Sequence, residues 1–265
     1  MATRPSRAGT RSAAPLTAYV LHRYDWSESS LILDLFTREL GRIAVVAKGA
    51  KRPYSQLRSV LLPSQRIVVT LGRAAGDEGS SEVQNLRGAE WAGGAAMLTG
   101  AALFSGFYLN ELLMKLLARH DPHTTLFDVY AQTLPALAAS EDALVQAALR
   151  AFEMALLREI GVLPDLSLVT LTQLPVRSGA RYTLHAEAGV GEAGGSEGGL
   201  TGAALVGMQA ALEHGSVAAL QHACRENLAE LKVLLRGLIQ HHLGTSPLRT
   251  RQVMLELQCL QTENS

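Results

Sequence analysis

The chain is poor in cysteine, with two in 265 residues, Cys224 and Cys259. Neither sits in a CxxC pair or beside a His-x-x-x-His pattern, which excludes a four-ligand zinc site. Both fall in stretches that read as helical and are taken as buried free thiols, as suits a reducing compartment. Charge is also scarce, at 18% of residues against 48% hydrophobic, and this balance excludes a wholly disordered chain. A continuous apolar leader is missing, because Arg23, Asp25 and Glu28 follow closely on a basic, Ser/Ala-rich segment. No secretory signal is evident, and a cytoplasmic location is expected. The uncharged window from Trp91 to Asn110 is long enough to raise the question of a membrane. It contains several glycines with Thr99, Ser105 and Asn110, and no cluster of Lys or Arg flanks it, so it reads as a buried bundle helix.

Catalytic constellations are absent as well. Asp25 with Glu28, and Asp34 with Glu39, lack a nearby His or Cys, and acid/base chemistry needs convergent partners. His214, His222, His241 and His242 fall on C-terminal helical stretches. The adjacent His241 and His242 diverge around a helix, which defeats shared metal ligation and leaves solvated or capping roles. The expectation is a protein without enzymatic activity or cofactor.

What is present is a strongly uneven charge distribution beneath a net charge of zero. Residues 1–75 carry twelve Lys or Arg against four acids, and the remainder carries twelve against twenty. The first ninety residues alternate short apolar runs with turn signals, which is the pattern of a small all-β domain. Five runs are expected as strands: 16–23, 31–37, 42–47, 66–71 and 83–90. Glu39-Leu40-Gly41 closes one hairpin and the Gly/Asp/Ser-rich stretch 72–81 forms another link. Five short strands closing on themselves predict an OB-type barrel with one face open to oligonucleotides.

From Ala92 the apolar spacing changes to three and four residues, which predicts helices. A first core helix carries Leu103 to Leu117. Others are expected over 125–137, over 140–160 with Ser140 as N-cap and Gly161 as stop, and over 201–212, 216–243 and 251–260. The stretch 163–200 reads as a loop-rich insertion with one strand-like run at 181–186. Its tract Gly189 to Gly199 lacks a Gly-Lys-Ser/Thr ending and is taken as flexible turn rather than a phosphate cradle. The expected organisation is a basic flexible tail over 1–15, an OB-fold domain over 16–91, and a helical domain over 92–265 that carries the insertion.

The candidate nucleic-acid residues are Arg42, Lys48, Lys51, Arg52, Arg58 and Arg66, with Tyr54 among them and no acid between Glu39 and Arg73. Cations tracking a backbone beside a ring on which a base stacks suit single-strand binding. A solvated surface is the competing reading, although a merely soluble surface usually mixes both signs. A second candidate is Arg150, beside the apolar residues Leu149, Phe152, Leu156 and Leu157. An apolar groove with a basic rim would accept an acidic, hydrophobic peptide. A simple pairing of Arg150 with Glu153 or Glu141 stands as the alternative.

The order of residues also carries a resemblance. Tyr19-Val20-Leu21-His22, Trp26-Ser27-Glu28-Ser29-Ser30-Leu31, Phe36-Thr37, Gly41-Arg42 and Val46-Ala47-Lys48-Gly49-Ala50 resemble the N-terminal domain of the RecO family. Leu57-Arg58, Leu62-Pro63, Tyr108-Leu109-Asn110-Glu111-Leu112, Arg150-Ala151-Phe152-Glu153 and Pro247-Leu248-Arg249-Thr250-Arg251 continue it, with 163–200 the weakest part. The resemblance implies an OB domain joined to a helical domain, binding of single- and double-stranded DNA, and strand annealing in recombinational repair, in the cytoplasm at the nucleoid. It implies as partners RecR and the acidic C-terminal tail of the single-stranded DNA-binding protein, with RecF and RecA engaged indirectly and no membrane. Arg150 matches a basic position on the tail-binding domain, and Phe152 adjoins it. Many members carry a four-cysteine zinc module in the C-terminal half; its lack here fits a zinc-free branch. The rival class is a non-catalytic scaffold whose barrel binds protein. A hydrolase would need a carboxylate cluster that the sequence does not contain.

Overall fold

The computed structural model describes residues 14–72, 83–93, 97–194, 198–253 and 256. The tail 1–13, residues 73–81 of the 72–81 link, residues 254, 255 and 257–260 of the expected helix 251–260, and with them Cys259, lie outside the described residues; 251–253 and 256 are helical.

Strands β1 (Leu16–Asp25), β2 (Leu31–Thr37), β3 (Gly41–Ala47), β4 (Arg66–Leu71) and β5 (Val83–Trp91) close into a barrel in the order β1-β2-β3-β5-β4. All neighbours are antiparallel except β3 and β5. This is the expected five-stranded OB-like barrel. A short helix α1 (Leu57–Val60), which the strand pattern does not predict, bridges β3 and β4.

Alternate side chains explain why β1 and β2 are apolar on both faces. Ala18, Val20, Leu33, Leu35, Ile43, Val45, Ile67 and Val69 fill the barrel, whereas Tyr19, Leu21 and Phe36 join the core of the helical body. A strand buried on both faces loses its polar alternation. The β2–β3 hairpin shows how closely the two halves meet. Gly41 has φ +67°, and a Cβ there would lie 1.8 Å from the Asp121 carbonyl oxygen, so only glycine fits.

The helical body comprises α2 (Gly100–Leu116), α3 (Thr124–Ala136), α4 (Asp142–Glu159), α5 (Gly202–Glu213), α6 (Val217–Arg225) and α7 (Leu228–Leu243). The central helix is α4, buried at every residue from Ala147 to Met154 and at Leu156 and Leu157. The helix expected over 216–243 is two helices. Asn227, at φ −136° and ψ 34°, leaves helical geometry and starts α7. The N-cap of α4 is Glu141 rather than Ser140. Cys224 is buried with its sulfur 3.7 Å from that of Met154, and burial pushes its thiol up to about 12. The membrane-length window is divided between the end of β5 and a helix that starts at Gly100. Among the described residues no helix is long and apolar enough to cross a membrane.

The insertion is more ordered than its composition predicts. Strands β6 (Arg181–His185), β7 (Gly189–Glu192) and β8 (Leu200–Thr201) form a sheet in the order β7-β6-β8. Tyr182, Leu184, Val190 and Leu200 enter the main core. Gly189, read above as flexible turn, has φ +70° and faces Thr170, whose Oγ1 would lie 2.2 Å from an added Cβ. Close packing, rather than freedom of the chain, requires that glycine.

An aromatic seam crosses from barrel to helices. Tyr19 lies 5.2 Å from Phe127 and 4.9 Å from Tyr130, Phe36 lies 5.4 Å from Phe127, and Tyr130 lies 6.0 Å from Phe152, all centroid to centroid. Such tilted pairs add to the area they bury. Within the seam, the Asn110 amide donates to the Leu21 carbonyl at 3.0 Å and to Ser64 Oγ at 3.2 Å, and the Tyr130 hydroxyl donates to Asn110 Oδ1. At its edge Arg38 forms a two-pronged pair with Asp128 at 3.1 and 2.9 Å. The Arg38–Asp128 pair is exposed, whereas the buried bonds of Asn110 and Tyr130 fix orientation as well as contact.

Candidate nucleic-acid interface and a cationic pocket

One end of the barrel is built from the turn 26–30, the loop 48–56 and α1. The pairing of Leu31 with Ala47 brings the turn and the loop side by side. The Lys51 amide donates to the Ser29 carbonyl at 3.0 Å, and its ammonium donates to the Ser27 carbonyl at 3.0 Å. Arg52 donates to the Gly49 carbonyl and Ser55 to the Arg52 carbonyl, so the loop folds back on itself.

This folding leaves Lys48, Arg52 and Arg58 exposed, and none forms an ion pair among the described residues. Arg23, Lys51 and Arg58 line an open cavity of about 450 Å³ together with Asp25. Asp25 lies 3.2 Å from Lys51 and offsets part of that charge. Tyr54 is 99% exposed at the loop, and Trp26 is 66% exposed on the facing turn. Large rings held in water beside unpaired cations lack a packing role and suit base stacking.

Two sequence candidates lie elsewhere. Arg42 points inward, its guanidinium donating to the carbonyls of Met114 and Leu117, the latter at 3.1 Å, and sitting 3.7 Å from Asp34. Burial lowers its pKa, and the Asp34 carboxylate opposes that shift. Arg42 therefore clamps the C-terminal end of α2 to the barrel, where free carbonyls favour a cation, and the expectation that it faces a phosphate is corrected. Arg66 is exposed but pairs with Tyr19, six positions from Asp25 and so about 20 Å along the strand from the loop cluster. The structure thus brings together Lys48, Lys51, Arg52, Tyr54 and Arg58, and adds Arg23 and Trp26. The hint for these two was local: both lie in a run of exposed residues at the end of β1.

A second cationic feature lies in the helical body, where α2, α4, α7 and the segment 248–251 enclose a pocket of about 220 Å³. Tyr108, Leu149, Ile239 and Leu248 form apolar walls, with Arg150, Lys232, Arg236 and Arg251 around them. Lys232, Arg236 and Gln240 recur every fourth residue, which places them on one face of α7. Sequence reasoning singled out Arg150 but missed Lys232, Arg236 and Arg251, although this spacing was readable.

Arg150 is buried, and its Nη2 lies 2.7 Å from Glu153 Oε1, to which the Tyr108 hydroxyl also donates at 2.7 Å. Burial pushes the Glu153 carboxyl up, and the Arg150 guanidinium and Tyr108 hydroxyl oppose that shift and favour the charged form. Arg150 is thus paired with Glu153 and lines the pocket as well, while Glu141 pairs with Arg225 instead. Arg150 Nε has no partner among the described residues. Lys232, Arg236 and Arg251 have no ion pair there either, so the pocket is positive. Phe152 does not line it. Two residues past Arg150 on α4, it turns to the opposite side and is fully buried against Tyr130, which corrects the expectation that it meets a peptide.

The remaining candidates have ordinary roles. His214 Nδ1 lies 2.8 Å from the Ala210 carbonyl at the end of α5, a cap. The rings of His241 and His242 stand 5.2 Å apart and nearly perpendicular. Among the described residues no group of three or more His, Cys, Asp or Glu could hold a metal ion.

A closed OB-like barrel with a cationic, ring-bearing end, packed on a helical body with a positive pocket, defines an OB-fold protein equipped for anionic partners. The comparisons with known proteins give the particular family. A model described as "Recombination protein O N terminal" matches residues 14–92, and one described as "Recombination protein O C terminal" matches 97–252. The chain is 50% identical over 245 residues to the DNA repair protein RecO of Albidiferax ferrireducens, covering 92% of this chain and 95% of that one. It is 51% identical over 245 residues to RecO of Polaromonas naphthalenivorans, covering 92% and 96%. It is 48% identical over 259 residues to RecO of Verminephrobacter eiseniae, covering 96% and 100%. The chain belongs to the RecO family, whose role is in DNA repair and recombination.

Proposed function

We propose that the protein binds single- and double-stranded DNA at the loop-bearing end of its barrel and takes the acidic C-terminal tail of the single-stranded DNA-binding protein into its cationic pocket. DNA coated with that protein would be held at both sites, and the coat remodelled for strand annealing and loading of the recombinase RecA. Binding energy alone does this work, without nucleotide hydrolysis or other catalysis. RecR is the direct partner in this scheme, and RecF acts through it; family membership supports both. The cellular setting is the cytoplasm at the nucleoid.

The observation that carries the DNA reading is the gathering of Arg23, Lys48, Lys51, Arg52 and Arg58 around exposed Tyr54 and Trp26. Polyanion binding needs several cations on one surface, and stacking rings make it tolerant of base sequence. Titration of Lys51→Glu/Arg52→Glu on labelled oligonucleotides tests it, with a loss of at least tenfold expected at low salt. Unchanged affinity would remove the barrel end from the scheme and favour a protein-binding scaffold.

The tail reading rests on apolar walls and four cations around one cavity, the composition that an acidic peptide with an apolar terminus requires. Arg150→Ala is expected to weaken binding of such a peptide at least tenfold, and intact affinity would refute it.

A further inference from the structure

One wall of the cationic pocket comes from outside α2, α4 and α7, from a segment whose residues 249–253 are helical. Leu248 and Arg251 reach the pocket from the chain that follows α7, and that chain crosses over α2. It is held there by two α2 side chains one turn apart. Glu111 Oε1 accepts from the Arg249 amide at 2.9 Å, and its Oε2 accepts from the Thr250 amide at 2.9 Å and the Thr250 hydroxyl at 2.6 Å. Lys115 donates to Ser246 Oγ at 2.9 Å and to the Pro247 carbonyl at 2.5 Å, while sitting 3.3 Å from Glu111.

The opposite side of the same strap faces a different cavity. Arg249, Thr250 and Val253 line a cleft of about 520 Å³ between α2 and β1, so that side is backed by open space. The strap gains its position from α2, and two of its three bonds to Glu111 are made by backbone amides. These amides are present whatever the side chains are, so the carboxylate fixes the course of the main chain.

We propose that Glu111 is a positioning residue for the peptide pocket: its carboxylate seats the strap on α2 and thereby presents Arg251 and Leu248 to an acidic ligand that Glu111 never touches. This deepens the tail-binding reading above and rests on it. Two oxygens accept three donors in fixed directions, which an amide cannot reproduce, because its nitrogen would face a backbone N–H. Burial works against ionisation of Glu111, yet the bonds from Thr250, Arg249 and Lys115 outweigh it and hold its carboxyl below the usual range.

The test uses the full chain and a labelled pentapeptide, Asp-Asp-Asp-Leu-Phe with a free carboxylate. Glu111→Gln is expected to weaken peptide binding about tenfold in the parent and less than about threefold in an Arg251→Ala background. Residues acting through one another are non-additive in this way. A general loosening of the fold would instead cost the same factor in both backgrounds and overturn the proposal, as would full affinity in Glu111→Gln. Thr250→Val, which removes the hydroxyl donor alone, provides a milder variant and is expected to cost about threefold. Affinity for oligonucleotides, read in parallel, should be unchanged in both variants; its loss would mark misfolding and count against a local role. If the parent does not bind the peptide, or Arg150→Ala binds it fully, the pocket reading itself fails. Binding that needs Arg150 but ignores Glu111 sinks this inference alone.

Discussion

The DNA surface makes a quantitative demand on salt dependence. Five cations surround the loop-bearing end of the barrel, and each phosphate neutralised on a single strand contributes about −0.7 to the slope of log affinity against log salt. Five contacts give a slope of about −3.5, or roughly a hundredfold loss between about 50 and 200 mM salt. Asp25, 3.2 Å from Lys51, competes for that ammonium, so four contacts and a slope of about −2.8 set the shallow limit. Arg52→Ala/Arg58→Ala removes two exposed guanidiniums that form no ion pair among the described residues. The slope should then flatten by about 1.4 with thermal stability unchanged. Anisotropy of a labelled oligonucleotide across the salt series reads the slope, and circular dichroism reads the stability. Arg42→Ala is the internal comparison: its guanidinium serves the carbonyls of Met114 and Leu117, so the slope should hold while the fold loses about 3 kcal/mol. A double variant with the parental slope would refute the assignment of these two residues to phosphate contact.

Three other outcomes follow from the packing. Gly41→Ala should destabilise by about 3 kcal/mol or more, because the added carbon meets the Asp121 carbonyl at 1.8 Å; chemical denaturation checks this, and a loss below about 1 kcal/mol would show that the hairpin yields. Phe152→Ala should cost about 3 to 5 kcal/mol by opening a cavity beside Tyr130, whereas Phe152→Leu, which keeps most of the apolar volume, should leave peptide affinity within about twofold; a selective loss of peptide binding in the leucine variant would restore Phe152 to the site. For Glu111 the folded carboxyl lies below its ordinary 4.5, so its contribution is fully present above that pH and disappears as pH falls through the lower, folded value. The stability gap between parent and Glu111→Gln should therefore close on acidification below about pH 4, and a gap that widens in acid would contradict the sign.

Much of the fold was legible because its causes are local. The five strand positions follow from short apolar runs between turns, and the hairpin glycine at 41 stands where a positive φ is needed. The helical periods from Leu103 onward likewise placed α2, α3 and α4 to within about three residues at each end. The insertion was misread for a physical reason. Its glycines look like freedom of the chain, yet Gly189 is required by contact with Thr170, and Tyr182 and Val190 pack into a core whose other walls lie in distant helices. The break at Asn227 was hidden because apolar spacing continues across it; both helices pack on α4, and the departure of the Asn227 backbone from helical geometry separates them.

The candidate sites divide along the same line. Residues of the loop 48–56 and the adjoining α1, Lys48 to Arg58, were found together because chain neighbours remain neighbours in space. Arg42 looked identical to them in the sequence and is turned inward only because the end of α2, more than seventy residues later, offers carbonyls that need a donor. Arg251 joins Arg150, Lys232 and Arg236 because Glu111 on a separate helix holds the strap that carries it.

The amino-acid order alone determined the barrel-then-helix architecture, the concentration of positive charge in the leading segment and the family, since each depends on patterns read over short distances or on charge that adds up wherever it sits. Which cations meet solvent, which side chains line a common cavity and which face of α4 is closed were decided by tertiary packing. A side chain's surroundings are set by whatever distant segment closes over it, and no local pattern encodes that choice.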